Sequence, residues 1–550
     1  MRGSGIDPGS RIAIIGAGPA GLSTAWFLGK QGFHQVTALE KLGRVGGLCK
    51  SVTIDGMSYD LGANYLTWAY TETLAIAREV GAKTYKEKPY TSIEILTDAG
   101  GRETARYRSL EDAVLFNPFT KEKVSLFAFM VAAFKYLWLR FRLVRVIDRP
   151  DYLARIDATS HPELCVSFKD WLRANRLDAL ASLFEFPVTI MGYGQLRDIA
   201  APYVLRYISL KTFFPMVAHN IPILGPLFQI LLPWPRRFTL GFQRMWQQVS
   251  WRTNVRLNVK IDTITRDPDS PHAPIRIAYQ TLHQELNNLD TVNAFMDFDY
   301  LILACPLTPD VFEQLGLQRT QAEVEMSDKI LVNPYCMTTY WVENMQMPQP
   351  IAPILPLPAR GKPWAVARQF QHNGNYFTQF YTRTDAGECG RTLDKAEWDR
   401  IEASVKTEVR KLIGLLGGHS DETHSRWSTY DRFTYFQHVE SAEIGRGYYR
   451  KLRDLQGADR TFYVGGVTDF ELVEPIVQHS KHLVETHFVG RAQVVPFIKT
   501  VTHRGRRGAR SVRREEATCE QCSTLLDRSR TPRGGMHRRP NATVFMTGAT

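Results

Sequence analysis

"IAIIGAGPAGLSTAWFLGKQGFHQVTALE", Ile12 to Glu40, begins with four apolar residues, turns through a glycine-rich stretch, continues as a helix former and ends in a second apolar run closed by an acid. Gly16 permits a tight turn after the strand Ile12-Ala13-Ile14-Ile15, Gly18 lets backbone approach a pyrophosphate, and Gly21 lets the helix lie close on the sheet. A helix beginning at Pro19 and Ala20 aims its unpaired N–H groups and positive end at phosphates, an anion site that needs no lysine. Glu40, nineteen residues after Gly21, stands where it would accept hydrogen bonds from a ribose diol. Strand, GxGxxG turn, helix, strand and acid in this order predict a nucleotide-binding α/β unit, with NAD and FAD both open.

The residues after Glu40 bear on that choice. Lys41, Arg44, Gly46 and Gly47 form a second glycine turn, followed by a hairpin-like pair around Asp55-Gly56 and by Asp60-Leu61-Gly62-Ala63. An NAD dehydrogenase has no need of this turn. A flavin does, because its pyrophosphate and ribityl chain run further and want more close backbone with an arginine nearby.

The 550 residues are enough for more than one core, and 44% hydrophobic content is ordinary for a globular protein. The net charge of +12 suggests a nucleic-acid partner until it is located: residues 501–550 hold 11 basic and 4 acidic side chains, so the excess is mostly a tail property. The stretch 503–540 has too few apolar residues to order itself, and 491–550 is expected to be a disordered basic tail. No nucleic-acid partner is expected. Seven cysteines scattered through a long chain make no disulfide framework, and Cys519 and Cys522 form a single CxxC with no second pair, so no metal site is expected. "MRGSGIDPGS" has no apolar core and reads as a flexible leader, 1–10, and Asn541-Ala542-Thr543 as a chance glycosylation match. A cytoplasmic protein, associated at most with a membrane surface, is the expectation.

Two apolar stretches bear on that surface. Phe213–Pro233 is long enough to suggest a span, but Pro215, Pro222 and Pro226 would each remove a helical hydrogen bond that lipid cannot replace. With Arg206, Lys211, Arg236 and Arg237 on its flanks, it reads either as a peripheral membrane contact or as a buried pocket wall. Val124–Ile147 reads as a core helix with a wide apolar face, a lipid-facing role standing behind that default.

Together these features resemble the FAD-dependent amine oxidase and phytoene desaturase superfamily, whose members share the GxGxxG unit, an acid and an RxGG turn. Phe238–Arg266 is similar to the family's helix and strand in which a valine meets the adenine, here Val259. Phe298–Leu307 is similar to the strand that returns to the nucleotide domain, and Arg460–Phe488 to the C-terminal flavin segment. Many relatives carry Gly-Glu at the turn in that segment, where this chain has Gly465-Gly466. Within the superfamily the chain is most similar to the bacterial polyunsaturated fatty-acid double-bond isomerases, through "RIAIIGAGPAGL", "GYGQLRDIAAPYVLRYISL" from Gly192 and "YFQHVESAEIGRGYYRKLRDLQGADRTFYVGG" from Tyr435.

The resemblance implies an α/β fold: a discontinuous Rossmann-like FAD-binding domain from 11–70, 236–305 and 458–490, with a helical, apolar substrate or lid domain at 71–235 and an α+β substrate-binding domain at 306–457. It implies FAD as cofactor and an apolar, lipid-like substrate. In the isomerases a hydride passes from an allylic carbon to flavin N5 and returns elsewhere on the same system; a desaturase or oxidase loses a proton instead. The pocket candidates are therefore aromatic: Tyr193 in "GYG", and Tyr435 and Phe436 ahead of His438. His438 and His479 read as satisfied structural histidines. The isomerases' carboxylate-holding arginine has no counterpart in "AKTYKEKPYTSIEI", where Thr91 falls near its place and Lys86 or Lys88 offers only a point charge. A flavin amine oxidase and a non-catalytic flavin- or lipid-binding protein remain as alternatives.

Overall fold

Ile12–Ile15 is fully buried and lies at the centre of a five-stranded parallel sheet in the order 255–256, 36–39, 12–15, 300–303, 461–463. Such continuous apolar runs suit a parallel sheet, whose two faces are both covered. The computed structural model describes residues 5–489, leaving out 55, 87–91, 98–99, 109–111, 113, 220–224, 233, 268–269, 271–273, 286–287, 348–350, 356, 373–374, 385–393 and 421–428. The basic tail, Cys519, Cys522, Asn541, Lys88, Thr91 and Pro222 lie outside the described residues.

Helix Pro19–Lys30 has Pro at its first turn, where the missing N–H costs nothing, and buries Ala20 through Leu28. It packs against helix Val473–Leu483, drawn from the far end of the chain, and Ser480 Oγ donates to Ala20 O at 3.3 Å. The strands Ser51–Ile54 and Met57–Asp60 pair antiparallel, as the Asp55-Gly56 turn signal predicts.

A second, larger sheet carries Leu331–Glu343 beside Asn375–Arg383 and Thr429–His438, with Pro363–His372 next in line. Side-chain alternation gives it two different faces. One packs Val366, Phe380, Tyr340 and Val342 against Val405, Val409, Leu412 and Ile413 of helix Lys395–Leu415, apolar positions spaced at helical period. The other turns Tyr335, Met337, Ala365, Ala367 and Tyr381 toward Tyr65, Ile190 and Tyr435. Ser92–Thr97 and Glu103–Arg108 complete this sheet through a parallel pairing of Ile93 with Ile354. The stretch 71–235 is thus not purely helical: it lends strands to the sheet of 306–457.

The two apolar segments each divide between core and surface. Helix Leu126–Arg142 ends at Leu143 and restarts as Val144–Ile147, and its outer face is exposed rather than core. In 213–233, Leu210–Ala218 buries Phe213, Pro215, Val217 and Ala218, whereas Gly225–Leu231 leaves Leu227, Ile230 and Leu231 exposed. Of the flanking cations, Arg206 and Arg237 are buried; Lys211 and Arg236 face solvent. No helix among the described residues is long and apolar enough to cross a membrane.

Candidate functional site

The first glycine turn is packed too closely for side chains. Gly16 has φ +106°, and a Cβ there would lie 2.9 Å from Ala304 O; a Cβ on Gly21 would lie 1.9 Å from Gly16 O. Gly21 therefore lets the helix close on the turn itself. Gly18 differs: its added Cβ would meet Gly47 Cα at 3.6 Å, so the two glycine turns face each other there. Arg44 braces the second turn, its Nη1 donating to Gly47 O at 2.9 Å, and Gly46 N donates to Ala17 O at 2.9 Å. Lys41 is exposed.

Glu40 is buried, and backbone already engages both its oxygens: Oε2 accepts from Ala17 N at 2.8 Å and Oε1 from Leu42 N at 2.9 Å. Each carboxylate oxygen can accept a second bond. Val259, also buried, donates its N–H to Glu40 O at 2.9 Å, which puts Val259 beside the acid.

Gly465 and Gly466 follow the edge strand Thr461–Tyr463. Beyond them come acids that the sequence reading passed over. Asp469 is held by Arg206 through two contacts, Nε to Oδ1 at 3.1 Å and Nη2 to Oδ2 at 3.0 Å, with Tyr152 under the guanidinium at 5.4 Å. Burial pushes the Asp469 carboxyl up and Arg206 pulls it back. Glu474 accepts from the backbone N–H of Thr71, Glu72 and Thr73 and from both threonine hydroxyls, capping helix Glu72–Glu79. Glu471 is buried with no cation against it among its bonded partners; burial pushes its carboxyl up to about 7, and the N–H of Gln437 and Phe436 pulls it down. Three acids within 469–474, in an otherwise apolar stretch, were the signal available.

Glu471 links this turn to an aromatic cluster. Its carbonyl accepts from Tyr193 OH at 2.9 Å and Tyr435 OH at 3.3 Å, and its Oε2 accepts from Gln437 N at 2.7 Å. Tyr193 lies 5.5 Å from Tyr435, 5.1 Å from Phe436 and 4.7 Å from Phe470, ring to ring, so the structure brings together the three aromatic candidates and adds Phe470 and Tyr207. Phe436 has φ +52°, a left-handed conformation that costs a non-glycine residue about 1–3 kcal/mol. It sits where the pairing with Leu331–Glu343 slips register, and the slip turns the Gln437 N–H toward Glu471.

His438 and His479 both bond backbone through Nδ1, while His479 Nε2 has no hydrogen-bond partner among the described residues. His438 stacks on Phe436 at 4.4 Å and donates from Nδ1 to Phe436 O at 2.8 Å; His479 donates from Nδ1 to Pro150 O at 3.2 Å. Burial lowers both to about 4. Where the sequence offers no arginine at 82–95, strand Arg236–Phe238 pairs with Thr84–Lys86 and sets buried Arg237 opposite Tyr85, its guanidinium 4.5 Å from the Tyr65 ring. A separate cleft of about 690 Å³, lined by Arg149, Asp151, Arg155, Tyr449, His479 and His487 among others, includes neither glycine turn nor any of the three aromatic candidates.

Comparison with known proteins agrees with this architecture. Residues 14–80 match the NAD(P)-binding Rossmann-like domain family. The polyenoic fatty acid isomerase of Ptilota filicina is 20% identical over 503 residues, 87% of this chain and 95% of that protein. Putrescine oxidase of Kocuria rosea is 31% identical over 177 residues, and protoporphyrinogen oxidase 2 of Arabidopsis thaliana 38% over 81; these alignments span 32% and 16% of the two relatives. Among solved structures, the CLA-producing fatty acid isomerase of P. acnes superposes with a TM-score of 0.66 at 23% identity, over 88% of this chain and all of that one. Substrate-bound putrescine oxidase gives 0.52 at 16% identity, over 86% and 97%. These named relatives are enzymes, and the chain, an α/β protein with an NAD(P)-binding Rossmann-like domain, is a homologue of amine-oxidase and protoporphyrinogen-oxidase type enzymes and of a polyenoic fatty acid isomerase.

Proposed function

We propose that this chain is an FAD-dependent oxidoreductase or double-bond isomerase acting on an apolar, unsaturated, lipid-like substrate. Its cofactor domain would be assembled from 11–70, 236–305 and 458–490, with the substrate held by the segments inserted between them. The residues fit a flavin dinucleotide. Gly18 and Gly47 leave bare backbone on two facing turns, helix Pro19–Lys30 points its N-terminus at the first, and Glu40 keeps spare acceptor capacity beside Val259. FAD, when bound, supplies a hydride acceptor at its N5.

The observation that carries the reading is the junction at Glu471, where the Gly465-Gly466 turn meets the cluster of Tyr193, Tyr435 and Phe436. Those rings pack into a buried aromatic cluster, surroundings that would suit a hydrocarbon chain and the charge that builds on it as hydride departs. In this reading His438, buried and bonded to backbone, takes no part in proton transfer. Glu471, whose buried carboxyl is raised to about 7, would be the group to hold a proton, and whether it takes one from the substrate would separate desaturation from isomerisation.

The test is anaerobic mixing of FAD-loaded protein with a polyunsaturated fatty acid, following flavin and conjugated-diene absorbance before and after oxygen is admitted. Diene growth over many turnovers with oxidised flavin retained supports isomerisation. Flavin that bleaches and stays reduced until oxygen enters supports net oxidation. The putrescine oxidase similarity favours an amine oxidase as the second reading, and peroxide production from putrescine, with no response to the fatty acid, would establish that one instead. Pure, folded protein with no FAD would end both.

A further inference from the structure

Helix Leu126–Arg142 is apolar on both sides but buries only one. Phe129, Ala132, Ala133, Tyr136 and Arg140 face the core, fixed by Tyr136 OH donating to Ile208 O at 3.0 Å, Arg140 Nε donating to Leu205 O at 3.1 Å, and the Tyr136 ring 4.3 Å from Phe213. The opposite face presents Phe127, Val131, Phe134, Trp138 and Phe141 at helical spacing; Phe127 is 80% exposed and Phe141 71%. A single exposed apolar residue needs no explanation, whereas a rigid ridge of five marks an interaction surface. The ridge continues onto neighbouring elements. Helix Leu210–Ala218 packs on this helix and exposes Phe214, and helix Gly225–Leu231 packs on that one and exposes Leu227, Ile230 and Leu231.

The charge around the ridge has one sign. Residues 126–147 contain no Asp or Glu. Arg142 and Arg145 are exposed and Lys135 half-buried beside the ridge, and the Arg142 guanidinium lies 4.8 Å over the Trp138 ring. The next acid, Asp148, is ion-paired with Arg140. A second copy of the chain meeting this face about a two-fold axis would set these cations against their own copies. An anionic surface would complement them.

We propose that this face docks the protein on an anionic phospholipid bilayer, the aromatic ridge entering the headgroup–acyl boundary while Lys135, Arg142 and Arg145 stay at phosphate level. The docking is peripheral, since the helix lies with its inner face fixed to the protein, and it stands apart from the flavin reading, because no residue of the ridge belongs to the candidate site.

The test is flotation of the full chain with vesicles of phosphatidylcholine alone and of phosphatidylcholine with phosphatidylglycerol. The parent floats with the anionic vesicles and less with the neutral ones. Phe134→Glu with Trp138→Glu lowers vesicle-bound protein by roughly tenfold or more, and Lys135→Gln with Arg142→Gln removes the preference for phosphatidylglycerol. All four positions lie on the outer face, so thermal midpoints should stay at the parent value; if the glutamate pair fails to fold, Phe127→Ser with Phe141→Ser makes the same test. Flotation undiminished in the glutamate pair would assign binding elsewhere, such as to the basic tail, and overturn the proposal. So would absence of flotation with either vesicle, or a dimer, seen in lipid-free sedimentation, that the glutamate pair breaks.

Discussion

Glu471 lies so close under Gly466 that a Cβ on Gly466 would meet Glu471 Cβ and Cδ at 2.9 Å. The room a side chain at 466 would need is therefore taken by an acid five residues further on. Gly466→Ala forces Glu471 to move, although Gln437 N holds its carboxyl at 2.7 Å. We expect a loss of about 1–3 kcal/mol in urea unfolding, as for other overpacked cores, with a matching fall in bound cofactor. Parent-like stability would mean that Glu471 has room to swing aside.

Glu471 also predicts a pH dependence. Its carboxyl is raised from 4.5 to about 7, chiefly by burial. A raised carboxyl favours the protonated folded form, so the stability it contributes is complete below pH 4.5 and is lost as pH climbs through about 7. From pH 5 to 8 the parent should lose up to about 3 kcal/mol that Glu471→Gln does not lose. Melting both proteins across that interval checks it; parallel curves would place the titration in another buried acid, such as Glu185, itself raised to about 7.

Arg206 and Asp469 are both buried and joined by two hydrogen bonds. Removing one partner leaves the other charge in an apolar interior, so Arg206→Met should cost about 3–5 kcal/mol. Removing both leaves no stranded charge, and the double change Arg206→Met with Asp469→Leu should be milder than Arg206→Met alone. A double-mutant cycle in denaturant gives the coupling directly, and strictly additive losses would show that the pair is held apart in solution.

The nucleotide sheet was legible because its strand, glycine and acid signals are local: Ile12 to Glu40 needs no distant partner to be read. The pairing of Gly18 with Gly47 was half legible, since the second turn was visible but its approach to the first depends on the fold. Glu471 and Asp469 carry no signal of their own in the sequence, and Arg206 reads there only as a cation flanking 213–233, because their meaning rests on separations such as 206 to 469, which no periodicity encodes. Leu126–Arg142 reads from its wide apolar face as a core helix first and a lipid-facing one second, because hydropathy does not say which part of that face finds a partner. Tyr193, Tyr435 and Phe436 stand out in the sequence through a resemblance in their motifs, while Phe470, which packs with them, sits in a segment whose strand, glycine turn and helix drew the reading.

The first turn offers a separation of folding from cofactor retention. A Cβ on Gly21 would lie 1.9 Å from Gly16 O, a clash with backbone that no side-chain motion relieves. Gly21→Ala should therefore break the turn and lower stability and cofactor content together. A Cβ on Gly18 meets Gly47 Cα at 3.6 Å, an ordinary contact, and its backbone φ of −77° suits any residue. Gly18→Ala should consequently fold with a thermal midpoint near the parent's. The branched side chain of Gly18→Val projects further into the gap between the glycine turns, where a pyrophosphate needs bare backbone. FAD released on denaturation should then drop at least about tenfold while the apo-protein stays folded. Full FAD content in Gly18→Val would move the dinucleotide away from this turn, and with it the cofactor role of Glu40 and Gly47.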